Sequence, residues 1–294
     1  MKIIQPKVEL WQQGEDKVAH VARCARICYK KETGNDSALY GSLERRNHLS
    51  MYRHETYYAA VPTYKKDSII WQCLAGYMHC PYIKWVRYRN NTYIITNGNF
   101  IRDIVKDNPV LFHMIYDNQI TSEEAEQIKP IWEHFIRYTF CVVTQISTSR
   151  ELNRVSPNNI AEQSTRYVYE DGTICKPHWM SDEIATHFNE EPLFADWIDD
   201  NIEHQKAYQY ISSCNDSFIN YKTLVDEFGM NRQDARGVLP IDTATRCVYT
   251  YSIAEWRAIL DLRYYGTTGA PHPNAKIIAG MIRQELIKLG YAFR

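Results

Sequence analysis

The chain has 294 residues, of which 45% are hydrophobic, and a formal net charge of −1 at pH 7. This apolar content is sufficient for a large buried core, and the near-neutral charge excludes a broad basic surface of the kind that binds nucleic acid. Any anion site must therefore be local. No apolar run of about 18 residues occurs, and residues 1–5 lack the apolar stretch of a signal peptide, so we expect a cytoplasmic protein without a membrane span.

Apolar periodicity predicts an N-terminal helix over residues 17–28, followed by a turn at 34–37. The β-branched and aromatic run 91–96 predicts a strand. A turn at 97–99 then leads into a helix over 100–106. The N-terminal part is therefore expected to be helical, with a strand and a further helix following it.

Two strands and a closing helix are predicted in the rest of the chain. The apolar run 140–146 predicts a strand, and residues 245–252 predict another because Cys247, Tyr249 and Tyr251 alternate with their neighbours. An amphipathic helix is predicted over 275–289. No repeat or linker is visible, so we predict a single α+β domain over residues 1–294, with a mixed or antiparallel sheet flanked by helices.

The eight cysteines do not form the pair of closely spaced pairs that binds zinc. Cys24 and Cys28 are four residues apart, Cys73 and Cys80 are seven apart, and the other four are scattered. We therefore expect reduced thiols, mostly buried, and no metal site.

Residues 150–167 carry the densest group of polar side chains of the types that bind ligands. The arginines offer forked donors that suit phosphate, the serine adds a neutral donor, and the glutamates accept from ring N–H or hydroxyl groups. These residues are Arg150, Arg154, Arg166, Ser164, Glu151 and Glu162. Together they predict a nucleotide site. The alternative for the run taken alone is a solvated, salt-bridged face.

The same run resembles the signature of the flavin-dependent thymidylate synthases. That signature is Arg-His-Arg, seven residues, Ser, and then an Arg two places later followed by an aromatic residue. Here Arg154-Val155-Ser156 precedes seven residues and then Ser164-Thr165-Arg166-Tyr167. Val155 and Ser156 stand where the family has His and the second Arg. The second half of the signature is thus closely matched, and the first half departs from it.

Further elements of that family occur in the same order along the chain. An Arg-x-Cys-Tyr-Lys element matches residues 26–30, and a His-x-Ser-x-x-Glu-His element matches 48–54, with Arg53 in place of the Glu. An Ala-Arg-x-x-Leu-Pro element matches 235–240, and Leu-x-Leu-Arg matches 260–263. The resemblance therefore extends over most of the chain, and residues 57–140 and 170–225 are its least diagnostic parts.

The resemblance implies the fold of the thymidylate synthase-complementing proteins and the reductive methylation of dUMP to dTMP. It further implies methylenetetrahydrofolate as carbon donor, FAD as hydride carrier, NADPH as reductant, and a homotetramer with shared active sites. The other, folate-only class of thymidylate synthase uses a cysteine in Pro-Cys-His. This chain has His79-Cys80-Pro81, the reverse order, which disfavours that class.

Site residues follow from the resemblance, position by position. Arg263 is the implied catalytic residue, because a guanidinium stays protonated and stabilises negative charge at N3 and O4 of a uracil ring. The implied substrate-binding residues are Glu151, Arg154, Ser164, Arg166, Arg236 and Arg263. The implied cofactor-binding residues are His48, Ser50, Arg154, Ser156 and Glu162. Because the family's sites are shared between subunits, Arg236 is expected to act across a subunit boundary.

Two alternatives remain open. One is a divergent enzyme that acts on another pyrimidine nucleotide, and the other is a non-catalytic nucleotide-binding homologue that has lost flavin binding. The arginines do not distinguish them, whereas Val155 and Ser156 bear directly on the flavin. Each residue also has a simpler interpretation when taken alone. Arg263 and Arg236 would then be ordinary cations at helix ends, and His48 would be a surface histidine.

Overall fold

The computed structural model describes residues 1–14, 16–63, 67–128, 133, 135–154, 159–190 and 201–293. The strands are β1 (Lys2–Ile4), β2 (Lys7–Trp11), β3 (Thr56–Pro62), β4 (Ile83–Tyr88), β5 (Asn91–Asn97), β6 (Gln119–Ile120), β7 (Arg137–Gln145), β8 (Ile160–Glu162), β9 (Thr173–Cys175) and β10 (Ala244–Ser252). They form two four-stranded antiparallel sheets and one parallel pair. The predicted α+β class with mixed or antiparallel sheets is confirmed.

Helices connect and cover these strands. The α-helices are α1 (Lys17–Ile27), α2 (Asp36–Arg45), α3 (Asp67–Ala75), α4 (Gly98–Asp107), α5 (Pro109–Tyr116), α6 (Ser122–Gln127), α7 (Ile146–Leu152), α8 (Asp182–Glu190), α9 (Ile202–Lys222), α10 (Arg232–Ala235), α11 (Ile253–Leu260) and α12 (Pro273–Lys288). Short 3-10 helices span Leu49–His54 and Arg236–Val238, and π-helical turns span Thr223–Glu227 and Asp261–Tyr265. No helix in the described ranges is long and apolar enough to cross a membrane.

The first sheet has the order β2-β7-β10-β8 and is covered on both faces. On one face, Trp256 of α11 packs edge-on against Phe140 and Tyr251, and the apolar side of α12 closes the cluster. On the other face, α1 packs against the sheet through Cys24 and Ile27. Helices on both faces explain why β7 and β10 are buried along almost their whole length.

Most predicted elements are found, with shifted ends, but the prediction of a helical N-terminal part is wrong at its start, because β1 and β2 precede α1. The helix predicted over 17–28 is α1, with Asp16 capping it by accepting from the Ala19 N–H at 2.9 Å. Asn35 caps α2, so the turn predicted at 34–37 is shorter. Asn97 caps α4 at the predicted turn. The strand predicted over 140–146 is wrong at its end, because α7 begins at Ile146.

The second sheet has the order β4-β5-β3-β6. It lies almost entirely in residues 57–140, one of the two segments in which the family resemblance is least diagnostic. Its apolar face is covered by α3, α4 and α5 around Ile94, Phe100 and Leu111. Residues 57–140 therefore carry their own sheet and core. The assignment of residues 1–294 to a single domain stays a prediction.

Arg137, the first residue of β7, joins the two sheets. Its side chain is 8% exposed, and burial lowers the pKa of its guanidinium. Its backbone N–H donates to the Tyr58 hydroxyl at 2.9 Å. The guanidinium donates to four acceptors: the carbonyl oxygens of Arg53 (2.6 Å), Thr250 (3.1 Å) and Glu55 (3.4 Å), and Oγ1 of Thr56 (2.9 Å). One side chain therefore joins β10 of the first sheet to β3 of the second sheet and to the residues just before β3.

All eight cysteines are free, as predicted. Five of them are buried, and Cys28, Cys73 and Cys80 are half-buried. Burial raises the pKa of the Cys214 thiol to about 11 and the pKa of Cys141 to about 12. Such thiols remain protonated at neutral pH and act as apolar core groups.

A chain of hydrogen bonds between buried hydroxyl groups connects two histidines behind the first sheet. His54 Nδ1 lies 2.8 Å from Thr250 Oγ1, which lies 2.8 Å from Thr139 Oγ1, and His20 Nε2 lies 3.3 Å from that hydroxyl. Burial, aided by the Arg137 charge, lowers the pKa of His20 to about 4. Burial also holds the pKa of His54 well below its usual value. Both imidazoles are thus neutral in the folded protein at neutral pH.

We therefore expect the free energy of unfolding to fall as the pH is lowered from about 6.5 toward 4. The unfolded chain takes up protons on both histidines near pH 6.5 while the folded chain does not, and for His20 the loss amounts to about 3 kcal/mol. Urea unfolding at pH 7.5, 6.5, 5.5 and 4.5 measures this.

Glu170 acts in the opposite direction, because burial raises its pKa to about 6 and the folded state then binds its proton more tightly. His20→Gln is the control, since it removes one of the two titrating imidazoles and should flatten the pH dependence. Equal pH slopes for the parent protein and this variant would contradict the assignment.

Candidate active site

Arg263 lies in the π-helical turn that continues α11 and is held by Glu151 at the end of α7. Arg263 Nε donates to the Glu151 carbonyl oxygen at 2.7 Å, and Nη1 lies 3.3 Å from the Glu151 carboxylate. The other carboxylate oxygen pairs with Arg154 Nη2 at 3.0 Å. The Arg263 side chain is 14% exposed and that of Arg154 is 66% exposed. Glu151 therefore fixes one nearly buried guanidinium and shares its charge with a second, solvated one.

The π turn gives Arg263 a position that a regular helix would not. The turn spans Asp261–Tyr265 and ends at Gly266, which has a φ of +69°. A Cβ at Gly266 would lie 2.8 Å from the carbonyl oxygen of Gly269 and from Pro271 Cδ, so only glycine fits this reversal. Single π turns inside helices occur frequently at functional sites.

Glu162 links α7 to β8 and β10. One carboxylate oxygen accepts from the Ser149 hydroxyl at 2.7 Å and from the Thr245 hydroxyl at 3.4 Å, and the other accepts from Asn153 Nδ2 at 3.2 Å. Both oxygens are thus already engaged within the protein. The implied flavin contact of Glu162 stays a prediction, and the structure gives this residue a role in holding the site together.

The Ser164 turn is anchored to the end of α1. The Ser164 N–H donates to the Cys28 carbonyl oxygen at 3.1 Å, and the Ser164 hydroxyl accepts from the Arg166 N–H at 3.3 Å. The ring of Tyr167 stacks on Tyr29 with 5.5 Å between the centroids. The two sequence elements that resemble the family near residues 26–30 and 164–167 therefore meet in space.

Three arginines gather at this turn. Arg236 Nη1 donates to Thr165 Oγ1 at 3.1 Å, Arg166 Nη2 donates to Gln233 Oε1 at 3.4 Å, and Arg232 Nη1 donates to the Tyr167 carbonyl oxygen at 2.8 Å. All three are exposed, and within the described part of the chain none of them forms an ion pair. Neutral acceptors hold these side chains in place, so their positive charges are left for an external anion.

We name these side chains of Arg166, Arg232 and Arg236 the arginine cluster. The sequence predicted Arg166 and Arg236, and the structure brings them to the same turn within one chain. Arg232 was missed, although its spacing of four residues from Arg236 places both on one side of a helical segment. The expectation that Arg236 acts on a neighbouring subunit stays a prediction.

The flavin candidates are less tightly grouped. His48 and Ser50 are exposed at the start of the 3-10 helix Leu49–His54, which contacts β8. Ser156 and Val155 lie outside the described residues. His48, Ser50 and Arg154 are exposed polar side chains of types that contact phosphate or ring edges, whereas Glu162 is already engaged, and the flavin contacts of all four stay a prediction.

The chain matches one protein family over more than half of its length. A family model described as thymidylate synthase complementing protein matches residues 118–289, more than half of the 294-residue chain. The chain belongs to this family. The segment that matches the family includes Glu151, Arg166, Arg236 and Arg263, whereas His48 and Ser50 precede it.

Individual proteins of known function are also similar. The flavin-dependent thymidylate synthase of Thermosipho africanus (strain TCF52B) is 27% identical over 170 residues, which are 58% of this chain and 68% of that protein. Two crystal structures of the UMP/dUMP methylase PolB from Streptomyces cacaoi, bound with 5-Br dUMP and with 5-Br UMP, have TM-scores of 0.46 and 0.44. Both structures are 16% identical in sequence to this chain. Each alignment covers 98% of this chain, and the two alignments cover 93% and 92% of the PolB chains, respectively. Membership of the family rests on the family model.

Proposed function

We propose that the protein is a flavin-dependent thymidylate synthase that methylates dUMP to dTMP. In this proposal methylenetetrahydrofolate gives the carbon, FAD carries the hydride and NADPH is the reductant. The observation that carries it is the arginine cluster, whose charged side chains are held by neutral acceptors at the Ser164 turn. Family membership and the name of the Thermosipho relative support the same reaction.

In this proposal Arg166, Arg236 and Ser164 bind the phosphate and sugar of the nucleotide. Forked guanidinium donors match phosphate oxygens, and charge-assisted hydrogen bonds are the strong ones. Arg154 and Glu151 complete the substrate side. Homotetramer formation, with each site built from more than one subunit, is part of the proposal.

Arg263 would act on the pyrimidine ring. Methylation at C5 requires electron density on that carbon, and a cation beside N3 and O4 stabilises the anionic form of the ring that provides it. Because the contacts with Glu151 use Nε and Nη1 of Arg263, Nη2 remains as a donor for the ring. Glu151 thereby orients the guanidinium without occupying all its donors.

His48, Ser50, Arg154, Ser156 and Glu162 would hold the flavin. When bound, the flavin supplies the reducing equivalents of the reaction. The direct test is the visible absorption spectrum of the protein after incubation with FAD and removal of the excess, followed by tritium release from labelled dUMP. A retained flavin with tritium release supports the proposal. A colourless protein without turnover overturns it.

One observation favours a second candidate. Val155 and Ser156 replace the His and Arg of the signature, which suits a homologue that binds a pyrimidine nucleotide and handles flavin differently or not at all. The double variant Val155→His plus Ser156→Arg tests this. Tighter flavin binding would support the second candidate, and unchanged flavin affinity would count against it.

We expect Arg166→Ala and Arg236→Ala each to weaken dUMP binding by about tenfold or more, because each removes a charge-assisted contact to the phosphate. Isothermal titration at one fixed salt concentration measures the affinity. Arg46→Ala, which removes an exposed arginine outside the cluster, is the matched control. Affinity equal to that of the parent in both cluster variants would show that the phosphate binds elsewhere.

A further inference from the structure

Two exposed histidines are in ring contact at the surface of the protein. His178 lies between β9 and α8, and His272 is the residue immediately before α12. Their ring planes are inclined at 83°, and their centroids are 6.2 Å apart. A metal ion bonded to two imidazole nitrogens at about 2.0–2.1 Å each separates the ring centres by roughly 5–6.5 Å. The observed spacing therefore allows one metal ion to bind both rings.

Asn274, in the first turn of α12, fixes the tautomer of His178. Its Oδ1 accepts from the His178 backbone N–H at 2.7 Å and lies 3.2 Å from Nδ1 of the same histidine. An amide oxygen can only accept, so Nδ1 carries the ring proton and Nε2 keeps its lone pair. Asn274 is 6% exposed and is therefore a fixed part of the core. Metal-binding histidines typically donate their other ring N–H to a protein oxygen in this way.

His272 has no competing partner within the described part of the chain. Its ring contacts that of His178, and its side chain neither caps α12 nor forms a hydrogen bond with any described residue. Pro271 and Pro273 flank it, and Pro177 precedes His178. Because proline restricts the backbone, both histidines are held in place before any ligand binds, which lowers the entropic cost of binding.

The charged groups around the two rings leave room for a cation. Lys176, two residues before His178, pairs with Asp182 at 3.2 Å. The ammonium of Lys276 lies over the ring of Tyr264, 5.9 Å from its centroid. Among the described residues, no His, Cys, Asp or Glu completes a group of three with the histidines. Water would therefore occupy the remaining coordination positions of a bound ion.

We propose that His178 Nε2 and a ring nitrogen of His272 bind one divalent first-row transition-metal ion, such as Zn²⁺, Ni²⁺ or Cu²⁺. Neutral imidazole suits these ions, whereas Mg²⁺ and Ca²⁺ prefer oxygen ligands. The ion ties the start of α12 to the segment after β9. It thereby restrains residues 266–272, the loop between the π turn that carries Arg263 and α12. No residue assigned above to dUMP or flavin is a ligand, so this inference does not rest on the proposed function.

The test is calorimetric titration of the full chain, without a histidine tag, reduced and freed of metal, with Zn²⁺, Ni²⁺ and Mg²⁺. We expect one equivalent of Zn²⁺ or Ni²⁺ to bind and Mg²⁺ not to bind at this site. His178→Gln and His272→Gln should each weaken Zn²⁺ binding at least about tenfold, since even the loss of an outer partner costs about 10–100-fold. His113→Gln, which removes an exposed histidine elsewhere, is the matched control and should leave the affinity unchanged.

Asn274→Asp tests the assigned tautomer. It keeps the acceptor and makes the His178 imidazole a stronger ligand, so we expect Zn²⁺ to bind several-fold more tightly. That gain should disappear when Asn274→Asp is combined with His178→Gln. A merely structural Asn274 would give no gain in the single variant.

Hydrogen exchange tests the restraint on the loop. Zn²⁺ should slow the exchange of residues 266–276 in the parent protein and not in His272→Gln. Absence of Zn²⁺ and Ni²⁺ binding, Mg²⁺ binding as tight as that of Zn²⁺, or an affinity unchanged in both histidine variants, as thiol ligands would give, overturns the proposed site. Exchange unaffected by bound Zn²⁺ overturns the restraint.

Discussion

Arg263→Ala is expected to reduce the turnover of dUMP by about 10²–10³-fold or more, because it removes the guanidinium to which we assign stabilisation of the anionic pyrimidine ring. The loss should fall on kcat more than on KM, since in the proposed function the guanidinium acts when negative charge develops on the ring. Tritium release from labelled dUMP measures the turnover. Full activity in a purified, folded Arg263→Ala protein would show the assignment to be wrong.

Two variants sharpen this test. Arg263→Lys keeps a charge but loses the forked contact with Glu151, so we expect it to recover little activity. Glu151→Gln keeps the backbone acceptor and removes only the carboxylate, and we expect a smaller loss than in Arg263→Ala. If Glu151→Gln were as inactive as Arg263→Ala, Glu151 itself would have to contact the substrate.

The largest effect on stability is expected at Arg137. Arg137→Met should lower the free energy of unfolding by about 3–5 kcal/mol, because it removes four hydrogen bonds from buried acceptors at the junction of the two sheets. Urea unfolding followed by circular dichroism measures the change. The loss is large relative to the whole stability of a typical domain, about 5–15 kcal/mol, so expression at low temperature is advisable.

Arg137→Lys and Arg46→Ala complete the series. Lysine keeps the charge but cannot reach acceptors in two directions, so we expect an intermediate loss. Arg46 is exposed, and its removal should change the stability by less than about 0.5 kcal/mol. A loss for Arg137→Met no greater than that for Arg46→Ala would mean that water replaces the guanidinium at the junction.

Elements whose hydrophobic periodicity lies within one continuous segment were predictable from the sequence. The strand predicted over 245–252 is β10, because alternating side chains face two covered surfaces. The helix predicted over 275–289 is α12, displaced by one or two residues at its ends. In each case the local periodicity and the packed environment agree, which is why the prediction holds.

Features that depend on two segments were not predictable. The apolar run 140–146 crosses from β7 into α7, and hydrophobicity alone does not mark where a buried strand becomes a buried helix. The contact of Arg236 with Thr165 joins residues 71 positions apart, and no pattern in either segment specifies it. Likewise, nothing near Glu162 in sequence indicates that Ser149 and Asn153 occupy its oxygens.

The buried thiols provide a way to measure local opening of the protein core. An alkylating reagent reaches Cys24, Cys175 or Cys247 only when the surrounding core separates, whereas the half-buried Cys28, Cys73 and Cys80 are modified earlier. The rates at which individual cysteines are labelled, read by mass spectrometry, therefore rank the free energies of local opening across both sheets. A ligand that binds at the Ser164 turn should slow the labelling of Cys28, whose carbonyl oxygen accepts from the Ser164 N–H.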